Sequence, residues 1–258
     1  MFRNQQGDQL SLSSVLHWYL LIFNAGCINA GGFMASGKFV SHVTGFATLF
    51  GVDLIDDRPE SAWEIASVPI FFLLGSFISG MLIDRPVQLK KQPHFDYALG
   101  LSAICLFLAA ERGTLILAPL GRFGQIFSLE QVYVLLAFLC LACGLQNAAV
   151  TSFTRSSVRT THLTGITTDL GLGLARLTTY KRNSSVFQQE ARSSLFRCGS
   201  ILAFVSGSAM GSWFFVRLGY SGFLIPALIS SYGAWRGRAD KLAANRSEPL
   251  KPLLNNLP

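Results

Sequence analysis

Apolar positions along this chain gather into six long runs, at 12–33, 62–83, 97–118, 129–153, 194–218 and 220–235, separated by short polar segments. A helix needs about 20 apolar residues to cross a hydrocarbon core about 30 Å thick, and these runs reach or approach that length. The sixth is short and follows its neighbour after a tight turn at Gly219. Two further apolar stretches, 42–54 and 162–175, carry Thr and Gly and fall well below spanning length. The pattern predicts an all-α, polytopic integral membrane protein with six transmembrane helices and two re-entrant half-helices.

The two short stretches belong to one pattern written twice. Gly26, Asn29 and Ala30 precede Ser41-His42-Val43-Thr44-Gly45 and Gly51; Gly144, Asn147 and Ala148 precede Thr161-His162-Leu163-Thr164-Gly165 and Gly171. A half-chain duplication embedded in apolar sequence is the signature of transporters and channels, where irregular polar segments from both halves meet near mid-membrane. It divides the chain into a first membrane repeat, 1–120, a second, 121–235, and a polar cytoplasmic tail, 236–258.

Composition strengthens the membrane reading. Half of the 258 residues are apolar, 14% are Asp, Glu, Lys or Arg, and Phe supplies 21; mean hydropathy is +0.42. Soluble domains carry about 25% charge. The net charge of +7 comes from short clusters between apolar runs, without the basic stripe and interleaved aromatics of a nucleic-acid binder. All five cysteines fall in or beside apolar runs, so they read as small membrane-buried side chains, and Cys140-x-x-Cys143 reads the same way. Near the start, 16–23 followed by Ala25-Gly26-Cys27 resembles a cleavable leader, but Asn24 interrupts it and the segment reads as a retained first helix.

Charge placement sets the topology. With both short stretches re-entrant and the N-terminus inside, 16 of the 21 Lys and Arg residues lie on the cytoplasmic side; with both crossing, 14 do. Positive residues accumulate inside, so the re-entrant arrangement is favoured. It places both termini, 85–95, 155–161 and 176–192 in the cytoplasm and the acidic 53–64 segment outside, in the inner (plasma) membrane. Three crossings per copy is an odd number, so the second copy inserts upside down and the repeat is inverted.

In that arrangement the half-helices point their N-termini at each other, and chemistry gathers there. Ser41 and Thr161 are expected as N-caps. His42 and His162 add titratable groups, Asn29 and Asn147 offer amides, and Thr44 and Thr164 open the half-helices. Asp169 has no acidic counterpart in the first copy, where Leu49 aligns; an acid in an apolar half-helix marks an ion or proton site, with Arg176 or His162 in reach as partners. Gly75-x-x-x-Ser79 and Gly207-x-x-x-Gly211 put small residues on one helix face and read as packing motifs.

Phe39-Val40-Ser41-His42-Val43-Thr44-Gly45, Gly144-Leu145-Gln146-Asn147-Ala148-Ala149, Arg159-Thr160-Thr161-His162-Leu163-Thr164-Gly165 and Thr168-Asp169-Leu170-Gly171 resemble the bacterial YoaK-like membrane proteins, the domain of unknown function 1275. The likeness runs from about Leu16 to Trp235 and implies a multi-helix inner-membrane protein with no established substrate. Within it, Phe46 stands where that pattern has Asn and Asn29 where an acid is common, so the first copy is the less polar one.

The reading of the residues is a transporter or channel for a small polar solute or ion, with the lipid bilayer as its surroundings, no nucleic-acid partner and a homo-oligomer open as an assembly. Candidate solute or ion ligands are Asn29, His42, Thr44, Asn147, His162, Thr164 and Asp169. A membrane-embedded enzyme and a non-transporting scaffold are the alternatives. Enzyme motifs such as Gly-x-Ser-x-Gly and His-Glu-x-x-His are absent, as are metal-site and cofactor signatures, so neither catalysis nor a cofactor is expected.

Overall fold

The computed structural model describes residues 12–55, 59–111, 131–153 and 160–247. Those residues form eight α-helices and one 3-10 turn, with no strand among them. In chain order the helices are α1 Leu12–Ser36, α2 Val43–Ile55, α3 Pro59–Gln88, α4 Phe95–Ala110, α5 Gln131–Phe153, α6 Leu163–Thr179, α7 Ser185–Leu218 and α8 Leu224–Ser247, with the 3-10 turn at Gly219–Phe223 between the last two. Four stretches are long and apolar enough to cross a membrane: Ser13–Ser36, Pro69–Gln88, Val134–Ser152 and Ser185–Leu242. The last contains α7 and most of α8. Large apolar side chains point outward along them, including Leu73 (67% exposed), Leu195 (73%) and Val216 (67%). Such faces are unfavourable in water and fit lipid, so the chain is an all-helical protein of the membrane type.

Several boundaries differ from the hydropathy reading. The expected loop 176–192 shrinks to a short connection, because Ser184 caps α7 by accepting a hydrogen bond from the Phe187 amide at 3.1 Å. The segment from 220 is not yet helix of the α type. Gly222 sits against the backbone of Phe214 and Phe215, so the 3-10 turn folds onto the end of α7 before α8 begins. Helix α8 then continues past Trp235 to Ser247, well into the segment expected as a tail. Helix α2 has 13 residues and α6 has 17, both below spanning length. The end of the third predicted span and the turn 155–159 lie outside the described residues.

Two helix crossings organise the bundle. Where α1 meets α7, a Cβ on Gly26 would strike the carbonyl of Phe204, one on Gly207 the carbonyl of Phe23, and one on Gly211 would stand 2.6 Å from Cα of Cys27. Where α3 meets α5, a Cβ on Gly75 would strike the carbonyl of Leu141 and one on Gly144 that of Phe72. Ser208 Oγ donates to the Gly26 carbonyl and Ser76 Oγ to the Gly144 carbonyl, each at 3.4 Å. Backbones this close require glycine, and the small-residue motifs serve packing as their spacing indicated. Around the second crossing lies the main apolar cluster, in which Leu106 of α4 and Leu135, Leu136 and Leu139 of α5 are almost wholly buried.

The short helices do not meet. Helix α2 packs on α3, α6 packs on α7, and no contact joins α2 to α6. The expected meeting of their N-termini is therefore not present as a direct contact. Helices α1 and α5 are the more deeply buried partners of the two glycine-lined crossings, and the short helices lie against the outer partners, α2 on α3 and α6 on α7.

Candidate functional site

The residues of the repeated motif hold connections together. Asn29 Oδ1 accepts from the amides of Val40 (3.1 Å) and Ser41 (3.3 Å) and from Ser41 Oγ (3.2 Å). Asn147 Oδ1 accepts from Thr160 Oγ1 (3.3 Å) and the Thr161 amide (3.4 Å). One carbonyl oxygen with two lone pairs suits such clustered donors, and each Asn clamps the segment entering the next short helix. Val40 is held from its other side as well, since the buried Cys140 thiol donates to its carbonyl at 2.8 Å. That contact explains one cysteine of the Cys-x-x-Cys pair as a structural donor, and both cysteines are buried and free.

His162, rather than Thr161, occupies the N-cap of α6, without a capping bond from its side chain. Helix α2 likewise begins directly after His42. The expected Ser41 and Thr161 caps are therefore displaced by one residue, because the Asn clamps already engage those two positions. Each imidazole lies over its own first turn. A Cβ on Gly45 would come within 2.9 Å of Nδ1 of His42, and one on Gly165 within 2.6 Å of Nδ1 of His162. Glycine three places after each histidine thus makes room for the ring. Both histidines are exposed, as are Thr44 and Thr164, whose carbonyls accept from Thr48 Oγ1 and Thr168 Oγ1 at 3.0 Å.

Asp169 is also exposed, on the outer face of α6. Arg176 does not pair with it. Its guanidinium reaches Glu190 of α7 at 3.5 Å, beside the closer Arg197–Glu190 pair at 2.9 Å. The seven sequence candidates therefore form two local groups, one around each connection, with Asp169 apart from both.

The polar groups that do converge come from elsewhere. Asn24 of α1, Gln146 of α5 and Ser230 of α8 are essentially fully buried. Asn24 Nδ2 donates to Gln146 Oε1 (2.8 Å) and Ser230 Oγ (3.0 Å), and Gln146 Nε2 donates to the Leu21 carbonyl (2.9 Å). Asn24 Oδ1 has no hydrogen-bond partner. An unsatisfied buried carbonyl costs about 1–3 kcal/mol, so this cluster is polar beyond what packing requires. Its signal in the sequence is an amide inside each of two apolar runs, beside the amide of the repeated motif. The repeat drew attention to the neighbouring Asn147 instead.

A cavity of about 390 Å³ lies farther out between α1 and α8, lined by Ser13, Leu16, His17, Leu20, Tyr232 and Arg236. His17 and Asn24 are seven residues apart on α1, two turns or about 10 Å along one face. Among the described residues no cluster of His, Cys, Asp or Glu could hold a metal ion.

No curated protein and no solved structure matches this chain. A family model described as "Protein of unknown function (DUF1275)" matches residues 17–234, which include both Asn clamps, both His-x-Thr-Gly turns and the Asn24–Gln146–Ser230 cluster. With the match running from α1 to within α8, the chain belongs to the DUF1275 family.

Proposed function

We infer that this protein is a membrane transporter for a small polar solute, built from two inverted copies of a four-helix unit, with α1–α4 answering to α5–α8. The observation that carries the reading is the buried Asn24–Gln146–Ser230 cluster with its unpaired Asn24 Oδ1. Polar groups inside a bilayer are costly and are retained where a pathway needs them. This cluster draws on both halves of the chain, the place where repeat transporters hold their substrates. The matched crossings support the repeat: α1 of the first half grips α7 of the second as α5 of the second grips α3 of the first.

The cluster offers amides and a hydroxyl with no fixed charge, which suits a neutral solute able to donate to Asn24 Oδ1. In this reading the fully buried cluster is the closed form of the site. Small-residue crossings let α1 and α5 shift against their partners to open it. In this reading both termini face the cytoplasm in the inner membrane, and the protein moves its solute without chemical change.

The test is flux of radiolabelled neutral polar solutes, such as small amides and polyols, into proteoliposomes. Asn24→Leu and Gln146→Leu should each abolish a flux that the unaltered chain supports. Retained flux in both would overturn the central site. Product formation in detergent, with neither vesicle nor gradient, would replace transport by catalysis.

A further inference from the structure

The cavity between α1 and α8 carries chemistry that the central cluster does not use. His17 is 5% exposed, and its Nε2 is buried without a hydrogen-bond partner although the ring borders open space. An unpaired buried nitrogen is costly, and a cavity of about 390 Å³ has room for a ligand group. Ser13, Tyr232 and Arg236 line the same space; Asp240, one turn farther along α8, is not in the lining but is near enough to act electrostatically on His17. Arg236 Nη2 donates to Ser13 Oγ at 3.4 Å, so these groups already converge. All four side chains can donate hydrogen bonds and one is permanently cationic, the donor set of an oxyanion site.

The remaining lining is aliphatic. Leu16 is 58% exposed, so the cavity has an apolar shoulder on the outer surface of the bundle. Tyr232 and Trp235 are exposed and lie 5.9 Å apart, and Arg236, Arg238 and Lys241 follow them along α8. Aromatic rings succeeded by cations mark the level at which a helix leaves hydrocarbon for lipid headgroups.

We propose that this cavity is an oxyanion site at the membrane surface that takes the phosphate of an anionic phospholipid. Tyr232 Oη and Arg236 donate to the phosphate oxygens beside the His17 ring, and Leu16 and Leu20 border the first acyl carbons. Free phosphate presents the same oxygens but nothing to the leucine shoulder. The site stands independently of the transport reading, and its test reads no flux.

The full chain is reconstituted in phosphatidylcholine nanodiscs and titrated with phosphatidylglycerol, and in parallel with inorganic phosphate, and bound lipid or phosphate is counted by native mass spectrometry. Phosphatidylglycerol should be retained over phosphatidylcholine and over millimolar phosphate. Arg236→Gln should weaken retention roughly tenfold, as loss of a charge-assisted bond does, and Tyr232→Phe severalfold. His17→Phe, which takes the polar ring away from the cavity wall, should weaken it severalfold. Equal binding of inorganic phosphate, with the same sensitivity to the variants, would overturn the lipid assignment in favour of a soluble oxyanion. Undiminished lipid retention in Arg236→Gln and Tyr232→Phe would overturn the site itself; Tyr232→Phe deletes one hydroxyl and decides the matter even if His17→Phe does not fold.

Discussion

The seam between α4 and α5 and the seam between α1 and α8 are built from opposite materials. In the first, Leu106, Ala109, Leu135, Leu136 and Leu139 close into one apolar cluster, and the buried Ser102 Oγ is satisfied by donating to the Ala142 carbonyl at 3.0 Å. In the second, Asn24 and Ser230 meet at the inner end and Ser13, His17, Tyr232 and Arg236 surround a cavity at the outer end. Under the repeat reading these seams are counterparts. Under the proposed repeat and ligand sites, one interface serves as a fastener and its counterpart is open to ligands.

The largest effect should come from the crossing beside the apolar seam. Gly144→Leu drives a side chain into the Phe72 carbonyl, where backbone cannot yield, and should leave no monodisperse protein on size-exclusion chromatography. A folded Gly144→Leu protein would mean that α3 and α5 lie farther apart than described. Next, Leu139→Ala should cost about 2–3 kcal/mol through its cavity, while Leu20→Ala, at the edge of an existing cavity, should cost less than about 1 kcal/mol. Thermal melts in one detergent decide it, and equal losses would erase the contrast between the seams.

A comparison of the two clamps is the next sharpening step. Asn29 accepts from three donors and Asn147 from two. Asn29→Ala and Asn147→Ala should each destabilise by about 1–2 kcal/mol, with the larger loss at Asn29. Hydrogen exchange should speed up at the Val40 and Ser41 amides in the first variant and at Thr161 in the second. Exchange unchanged in both would deny the clamps. The smallest effect belongs to Asp169→Asn, an exposed position outside every ion pair described, which should shift stability by no more than about 0.5 kcal/mol. Flux lost in this variant but kept in Asn24→Leu would move the site from the polar seam to α6.

Much of this was legible in the chain, for identifiable reasons. Run length and apolar composition are local properties, so four stretches long enough to span, the short α2 and α6 and the Gly75 and Gly207 motifs could be read directly, whereas the count of six spans could not. The reading failed where a residue's role depends on its neighbours in space. Asn29 and Asn147 stood out by repetition, yet repetition marked a structural clamp. Asp169 stood out as a lone acid, and the bundle placed it on an outer face. Asn24, Gln146 and Ser230 lie outside the repeated motif, and only the packing of α1, α5 and α8 brings Asn24 within 3.0 Å of the other two.

The sequence by itself determined that this chain is helical, belongs in a membrane and contains one motif twice, because periodicity, hydropathy and duplication need no knowledge of contacts. Tertiary structure alone decided which polar groups are buried together. Glycine at the crossings lets α1 and α5 pack as the more deeply buried partners, and the short helices lie against the outer ones, so the repeated histidines are exposed and the unrepeated amides meet inside.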